Sequence, residues 1–399
     1  MKKLRKFIER IIEGILTLSG TLTTLIILLI IIFLFKEGFG FFKSPMVEKG
    51  YAICLNSENP VQDLTSFEIK EIFDGEITNW KEVGGADEEI HTFRFEELFD
   101  KYSEEDFGED FKLLPDKIIE IIKSDAKIIA FMPDKYIPKD LSIYTLPYKS
   151  FSVFDFFLGS EWMPTATPTP QFGILPLILG TLLVSITAIL IALPLGLGVA
   201  IYLSELAGKR TRKILKPVIE LLAGIPSVVY GFFGLVVLVP IVQNGLHLPV
   251  GEIAFTGSLL LAIMALPTII TVAEDSMRNT PRAMREASLA LGATHWQTIY
   301  KVIIPYAKSG ISAAVVLGIG RAIGETMAVL MVTGNAAIIP SSLFEPMRSI
   351  PATIAAELGE APAGGAHYQS LFLLGCILFF ITLIISITAE VISKRHPQN

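Results

Sequence analysis

The sequence predicts a mainly α, polytopic membrane protein: a bundle of six transmembrane helices with a small α/β domain inserted after the first. Three observations lead there. Hydrophobic side chains make up 51% of the 399 residues and charged ones 18%, too apolar for an ordinary soluble chain of this length. Nearly uncharged apolar runs fall at 15–35, 174–203, 218–242, 253–273, 311–332 and 371–389, each near the roughly 20 residues that cross a bilayer. Residues 46–150, by contrast, alternate strand-like with helix-like segments and hold 24 Asp and Glu against 12 Lys and Arg.

The first run exceeds the roughly 7 to 15 apolar residues of a signal-peptide core, and no small-x-small cleavage pattern follows Phe35. It reads as a retained span, so 1–45 form a short terminus and the first helix. Lys2, Lys3, Arg5, Lys6 and Arg10 precede that span. Lys209, Arg210, Arg212, Lys213 and Lys216 follow the second run, and Lys394 and Arg395 follow the sixth. Short basic loops stay in the cytoplasm, which puts both termini inside and 46–150 outside. The expected location is the cytoplasmic (inner) membrane, in contact with membrane lipids.

In 46–150, YAICLN reads as a strand, Thr65 as the N-cap of SFEIKEIF, and Gly75 as its end. ITNW leads to a turn at Gly84 and Gly85; HTFRF is a strand, PDKIIEIIKS an amphipathic helix, AKIIAFM a strand, and a Pro-rich exit ends near Pro147. The acidic balance repels anions at long range and excludes a nucleic-acid surface. With Cys54 here and Cys376 in the last run, neither a disulfide framework nor a zinc site is expected. Residues 151–172, with Trp162, Pro164, Pro168 and Pro170, read as an interfacial linker into the core, 173–399.

The third run opens with LAGIPSVVYGFFGL, where Gly224, Pro226, Ser227, Gly231 and Gly234 interrupt an apolar helix. Pro226 removes a backbone bond, and freed carbonyls are tolerated in a membrane only inside protein or facing a cavity. A packing kink and a pathway lining both fit.

Between the fourth and fifth runs, 277–308 read as two short helices around a Gly elbow. Thr280 and Pro281 suggest an N-cap followed by Pro at the first helical position, and Gly292 sits where a C-cap belongs. Thr294 with Gln297 forms a capping box for the second helix, which Pro305 is expected to end. Ala283, Ala287 and Ala290 make a stripe of small side chains suited to close docking in a partner's groove.

The fifth run contains Arg321 and Glu325. On one continuous helix Arg321 lies about 16 Å from Gly310, close to the bilayer midplane. Each charge there costs about 2.5 to 3.5 kcal/mol, so neither can face lipid. Their i, i+4 spacing would let them neutralise each other on one helix face, leaving Arg321 with donors suited to a tetrahedral oxyanion. An ion pair stapling two spans is the other reading.

The elbow resembles the coupling loop of ABC-importer permeases: Glu286, Ala287 and Ser288, then Gly292, then Val302, Ile304 and Pro305, with Ser288 where Ala is usual. Residues 151–391, notably GRAIGETMAV, resemble the PstC-type phosphate permease family. Residues 59–85 resemble part of a phosphate-binding protein. The resemblance implies the type I importer permease fold, coupling to an ATPase through Glu286, Ala287, Ser288, Gly292 and Pro305, and substrate passage at Arg321 and Glu325. It also tilts Pro226, Ser227, Tyr230, Thr326 and Asn335 towards pathway lining.

The implied partners are a second permease of PstA type, a cytosolic ATPase dimer of PstB type and an external phosphate-binding protein of PstS type. No cofactor is expected on this subunit and it is not expected to be an enzyme; ATP and Mg belong to the partner. Gly208 and Lys209 are the one hint of a Walker motif, with Leu203 and Arg210 at positions that need Gly and Ser or Thr. Arg94 sits where binding proteins place an anion-holding Arg, but Phe95, Glu96 and Glu97 replace the donor loop, so the inserted domain reads as a structural or docking relic. Rival functions are import of sulfate or molybdate, a membrane sensor, and an intramembrane enzyme. The sensor lacks an output domain in the few residues after the sixth run, and the enzyme lacks an HExxH or Ser/His constellation.

Overall fold

The computed structural model describes residues 2–47, 50–108, 111–137, 143–146 and 150–394. They divide into an α/β unit, Phe39–Ile174 with Gly364–His367, and a helical unit containing the rest. The first helix, α1 (Lys2–Gly40), begins in the helical unit.

Alternation builds the α/β unit. Its elements are β1 (Tyr51–Asn56), α2 (Ser66–Asp74), β2 (His91–Arg94), α3 (Leu114–Ser124), β3 (Ile128–Pro133) and β4 (Ile143–Thr145), in the sheet order β2-β3-β1-β4. β1 runs antiparallel to β3, with Ile53 opposite Phe131, and antiparallel to β4; β2 runs parallel to β3. Ile53, Leu55, Ile129 and Phe131 face one core with Ile69, Ile72 and Trp80. Their neighbours Cys54, Ala130 and Met132 face a second core with Phe107, Ile118 and Ile122. Thr65 and Glu68 form the expected capping box, and Gly75 ends α2 with a φ of 80°.

β4 was not foreseen, and the expected exit at Pro147 lies outside the described residues. Residues 151–172, expected as a separate linker, pack into this unit instead. The Thr169 hydroxyl and the Gln171 amide both donate to the Ser66 carbonyl, at 2.8 and 2.9 Å, while Phe151, Phe156 and Phe172 surround the fully buried Phe41. Aromatic rings that would otherwise be wetted are thus removed from water.

The helical unit contains α4 (Leu175–Ile201), α5 (Lys209–Ala223), α6 (Ser227–Leu246), α7 (Ala254–Arg278), α8 (Arg282–Ala290) and α9 (His295–Tyr306). There follow α10 (Lys308–Gly324), α11 (Met327–Val332), α12 (Ile350–Glu357) and α13 (Ala366–Lys394). α7 is the central helix, packed chiefly against α4 and α10 and burying Leu260, Leu261, Met264 and Ile269. Small residues make that approach close: a Cβ added to Gly196 of α4 or Gly318 of α10 would come within 2.8 Å of Ile269. Among the described residues five helices have the length and hydropathy of a span, at Arg10–Lys43, Leu175–Leu206, Ser227–Leu246, Ala254–Arg278 and Ala366–Thr388. The remaining passage is the pair α9 and α10, bent by 70°.

Two expected helices are broken. The run 218–242 divides at Gly224 and Pro226: residues before it belong to α5, which buries no side chain, and the span starts at Ser227. Pro226 cannot donate to the preceding turn, and it disfavours helical geometry at Ile225. The run 311–332 ends its helix at Gly324, passes through an extended Glu325 (φ −72°, ψ 129°), and resumes at Met327. Gly318, Gly320 and Gly324 weaken helix there.

Two tests follow from this packing. Gly318→Leu should destabilise the bundle by about 1–3 kcal/mol through overpacking, seen as a lower unfolding temperature in detergent. Gly320→Leu, whose Cβ meets nothing within 4 Å, should leave it unchanged. Equal temperatures for the two variants would contradict the α7–α10 contact. Burial pushes the Cys54 thiol up to about 12, against a hydrogen bond with Thr145 that lowers it. At pH 8 in a Cys376→Ser background, maleimide should therefore label the native protein slowly and the denatured protein fast; equally fast native labelling would contradict the β1–β3 core.

Candidate translocation site and coupling elbow

Arg321 lies in the last turn of α10, half-buried, and donates to the Thr268 hydroxyl of α7 through a long contact of 3.4 Å. Its charge also acts on Tyr230 of α6. Among the described residues it makes no ion pair, so most of its five N–H donors remain available.

Glu325 does not pair with Arg321 as the i, i+4 spacing suggested. The helix ends between them, and the Glu325 carboxylate accepts from the Ala328 N–H at 3.5 Å. It faces a narrow crevice with Thr181 and Ser185 of α4 and Ser349. The break in the passage therefore leaves Arg321 beside the Thr268 hydroxyl and Glu325 in a crevice that includes three hydroxyl side chains.

The other candidate residues divide by role. The buried Tyr230 donates its hydroxyl to the Leu222 carbonyl at 2.8 Å, bridging the Pro226 break and satisfying a carbonyl that helix would have used. Thr326 does the same across the other break, donating to the Gly324 carbonyl at 3.3 Å. Pro226 caps the start of α6, with Ser227 beside it. Neither contacts Arg321 among the described interactions. Asn335, at a φ of 52°, is held instead by the Arg348 Nε, which donates to its side-chain oxygen at 2.8 Å. Arg348 in turn pairs with Glu357. Sequence reasoning missed Thr268, Thr181, Ser185 and this Arg348–Glu357 pair; hydroxyl residues in apolar helices were the available signal.

At the elbow, Gly292 adopts a φ of 86° with its N–H bonded to the Leu289 carbonyl at 2.9 Å, and Thr294 and Gln297 form the expected capping box. Two local expectations change. Thr280 does not cap α8: Pro281 takes the N-cap place and has no side chain to donate or accept. Pro305 does not end α9, because a π-turn at Ile299–Ile303 absorbs its missing donor and the chain bends only after Tyr306.

Glu286 and Ala287 are exposed on α8, beside exposed Met284, Leu291 and Trp296. Ser288 shares a 2.9 Å hydrogen bond with Thr298, tying the two arms together. Arg285 anchors the elbow at two points. It pairs with the buried Glu205 just after α4 and donates to the Met277 carbonyl of α7 at 2.8 Å. Through these two contacts α8 is joined to α7, which carries Thr268, and to the end of α4, which carries Ser185.

Residues 192–396 match the family described as binding-protein-dependent transport system inner membrane component. The chain belongs to this family. Residues 33–95 match a PBP superfamily domain. The permease is 41% identical over 245 residues to a probable ABC transporter permease protein, YqgH, of Bacillus subtilis, covering 61% of this chain and 79% of that protein. It is 42% identical over 276 residues to the phosphate transport system permease protein PstC of Mesorhizobium japonicum, covering 64% and 83%. With PstC of Pasteurella multocida it shares 38% over 269 residues, covering 62% and 82%.

For the permease, Gly292 offers a direct test of the elbow. A Cβ there meets nothing within 4 Å, so the cost of Gly292→Val is conformational, about 1–2 kcal/mol for left-handed backbone. In the assembled transporter Gly292→Val should reduce substrate-stimulated ATP hydrolysis several-fold, whereas Gly292→Asn should stay near wild type. Unchanged stimulation in the valine variant would remove the elbow from the coupling path.

Proposed function

We propose that this chain is the PstC-type permease subunit of an ATP-driven phosphate importer. The observation that carries the reading is Arg321: a half-buried guanidinium with uncommitted donors, at the end of a broken passage between α7 and α6. Such a fork binds a tetrahedral oxyanion in two-point geometry, and phosphate is the oxyanion named in the PstC relatives. Glu325, set apart by the break, keeps the path from holding the anion too tightly.

In this reading both termini and the elbow are cytoplasmic, and 46–150 lie outside. A second permease of PstA type completes the path, and a PstS-type binding protein delivers phosphate. A PstB-type ATPase dimer, using ATP and Mg, engages the exposed face of α8 around Glu286 and Ala287. Closure of the ATPases pushes the elbow, and Arg285 carries the push to the ends of α4 and α7. The anion site lies against α7 at the end of α10, so its access alternates as α7 moves.

The external unit has no evident ligand-binding role. Arg94, the residue nearest to an anion-holding position, lies over the Phe73 ring at 5.2 Å, and its backbone N–H is bonded to the Glu97 carboxylate. A docking contact with the binding protein fits better than a second phosphate site.

Uptake of radiolabelled phosphate into vesicles holding the assembled transporter tests the proposal. Arg321→Ala should lower uptake by roughly 10- to 100-fold, the value of a charge-assisted hydrogen bond, while assembly and basal ATP hydrolysis persist. Normal uptake in that variant would remove Arg321 from the path. Competition by excess sulfate or molybdate would reassign the substrate to that anion.

A further inference from the structure

We propose that the cleft between α5 and the start of the elbow is a second oxyanion site, taking the phosphoryl group of inorganic phosphate or of an anionic phospholipid. It has a volume of about 690 Å³ and is lined, among the described residues, by seven Lys and Arg and a single carboxylate, Glu220. None of these residues belongs to the Arg321 site, so the inference stands or falls independently of the substrate.

The positive charge there is only partly used. Glu274 of α7, 1% exposed, is met by Arg212 and Lys216 of α5 and by Arg278 of its own helix. Lys216 also reaches Asp275 at 2.7 Å, and Arg285 is committed to Glu205. Lys209, Lys213 and Arg282 have no carboxylate partner among the described residues, and all three line the cleft. Glu220 alone cannot balance them. The site is therefore a net cationic pocket in which the buried carboxylates are already neutralised by other side chains.

One hydroxyl points to what is missing. Thr280 lines the cleft at 3% exposure, and its hydroxyl has no hydrogen-bond partner among the described residues; the Arg212 Nε and the Glu274 Oε1 are also buried without one, but those two atoms belong to a single ion pair and do not call for a ligand. Buried donors without acceptors are rare in folded proteins because each forfeits its hydration. The arrangement asks for a ligand that is anionic, rich in acceptors and free of competing donors, which is the chemistry of a phosphoryl oxyanion. Thr280 is also the residue whose capping role Pro281 displaced, leaving the hydroxyl uncommitted. A bound anion would bridge Lys213 of α5 to Thr280 and Arg282 at the entrance to α8, and so restrain the elbow.

The test is lysine-reactivity footprinting by mass spectrometry on the assembled transporter in nanodiscs. It compares phosphatidylcholine discs, phosphatidylcholine discs with inorganic phosphate, and discs containing phosphatidylglycerol, with chloride matching ionic strength. At a tenfold excess over the dissociation constant, labelling of Lys209 and Lys213 should slow by about tenfold. Thr280→Val and Lys213→Gln should weaken that protection, the latter read at Lys209; both spare the Glu274 pairs and hence the fold. Protection by inorganic phosphate identifies the free anion, and protection only with phosphatidylglycerol identifies the lipid headgroup. Protection matched by chloride, absent under every condition, or already complete in anion-free phosphatidylcholine discs would overturn the proposal.

Discussion

Backbone polar groups inside a bilayer have no water to turn to, and this constraint decides where the permease can bend. Each interruption of a span is answered by a local partner. The Pro226 break is bridged by Tyr230 reaching the Leu222 carbonyl, the Gly324 break by Thr326, and the Pro305 region by a π-turn. One of these breaks, at Gly324, immediately follows the turn of helix that carries Arg321.

Charge follows the same economy. Arg321 reaches the Thr268 hydroxyl of α7, and Glu274 is met by cations from α5 that lie 58 or more residues away in sequence. Arg285 joins the elbow to Glu205 and to the Met277 carbonyl at once. A half-exposed lysine in its place would supply the charge without the two-point hold.

The α/β unit is held together by its own packing. Its two cores are filled by alternating strand residues, and the segment 151–172 closes one side of it. The Arg94 guanidinium lies over the Phe73 ring and donates to the Phe73 carbonyl.

By itself the sequence determined the features whose causes lie within a turn or two of chain. These are the six apolar passages, the capped α2, the alternating strands of the α/β unit, and the Gly292 elbow with its Thr294 capping box. Caps, left-handed glycines and period-two burial are local physics, legible from neighbouring residues. The tertiary structure alone decided that Arg321 and Glu325 part company, that Thr268 rather than Glu325 meets the guanidinium, and that Arg285 reaches Glu205 across 80 residues. A helix-periodic reading assumes an unbroken helix, and it carries no information on which distant side chain will satisfy a buried charge. Those pairings depend on how α4, α7 and α10 come together, with close packing at Gly196, Gly318 and Ile269, and on where α5 meets α7.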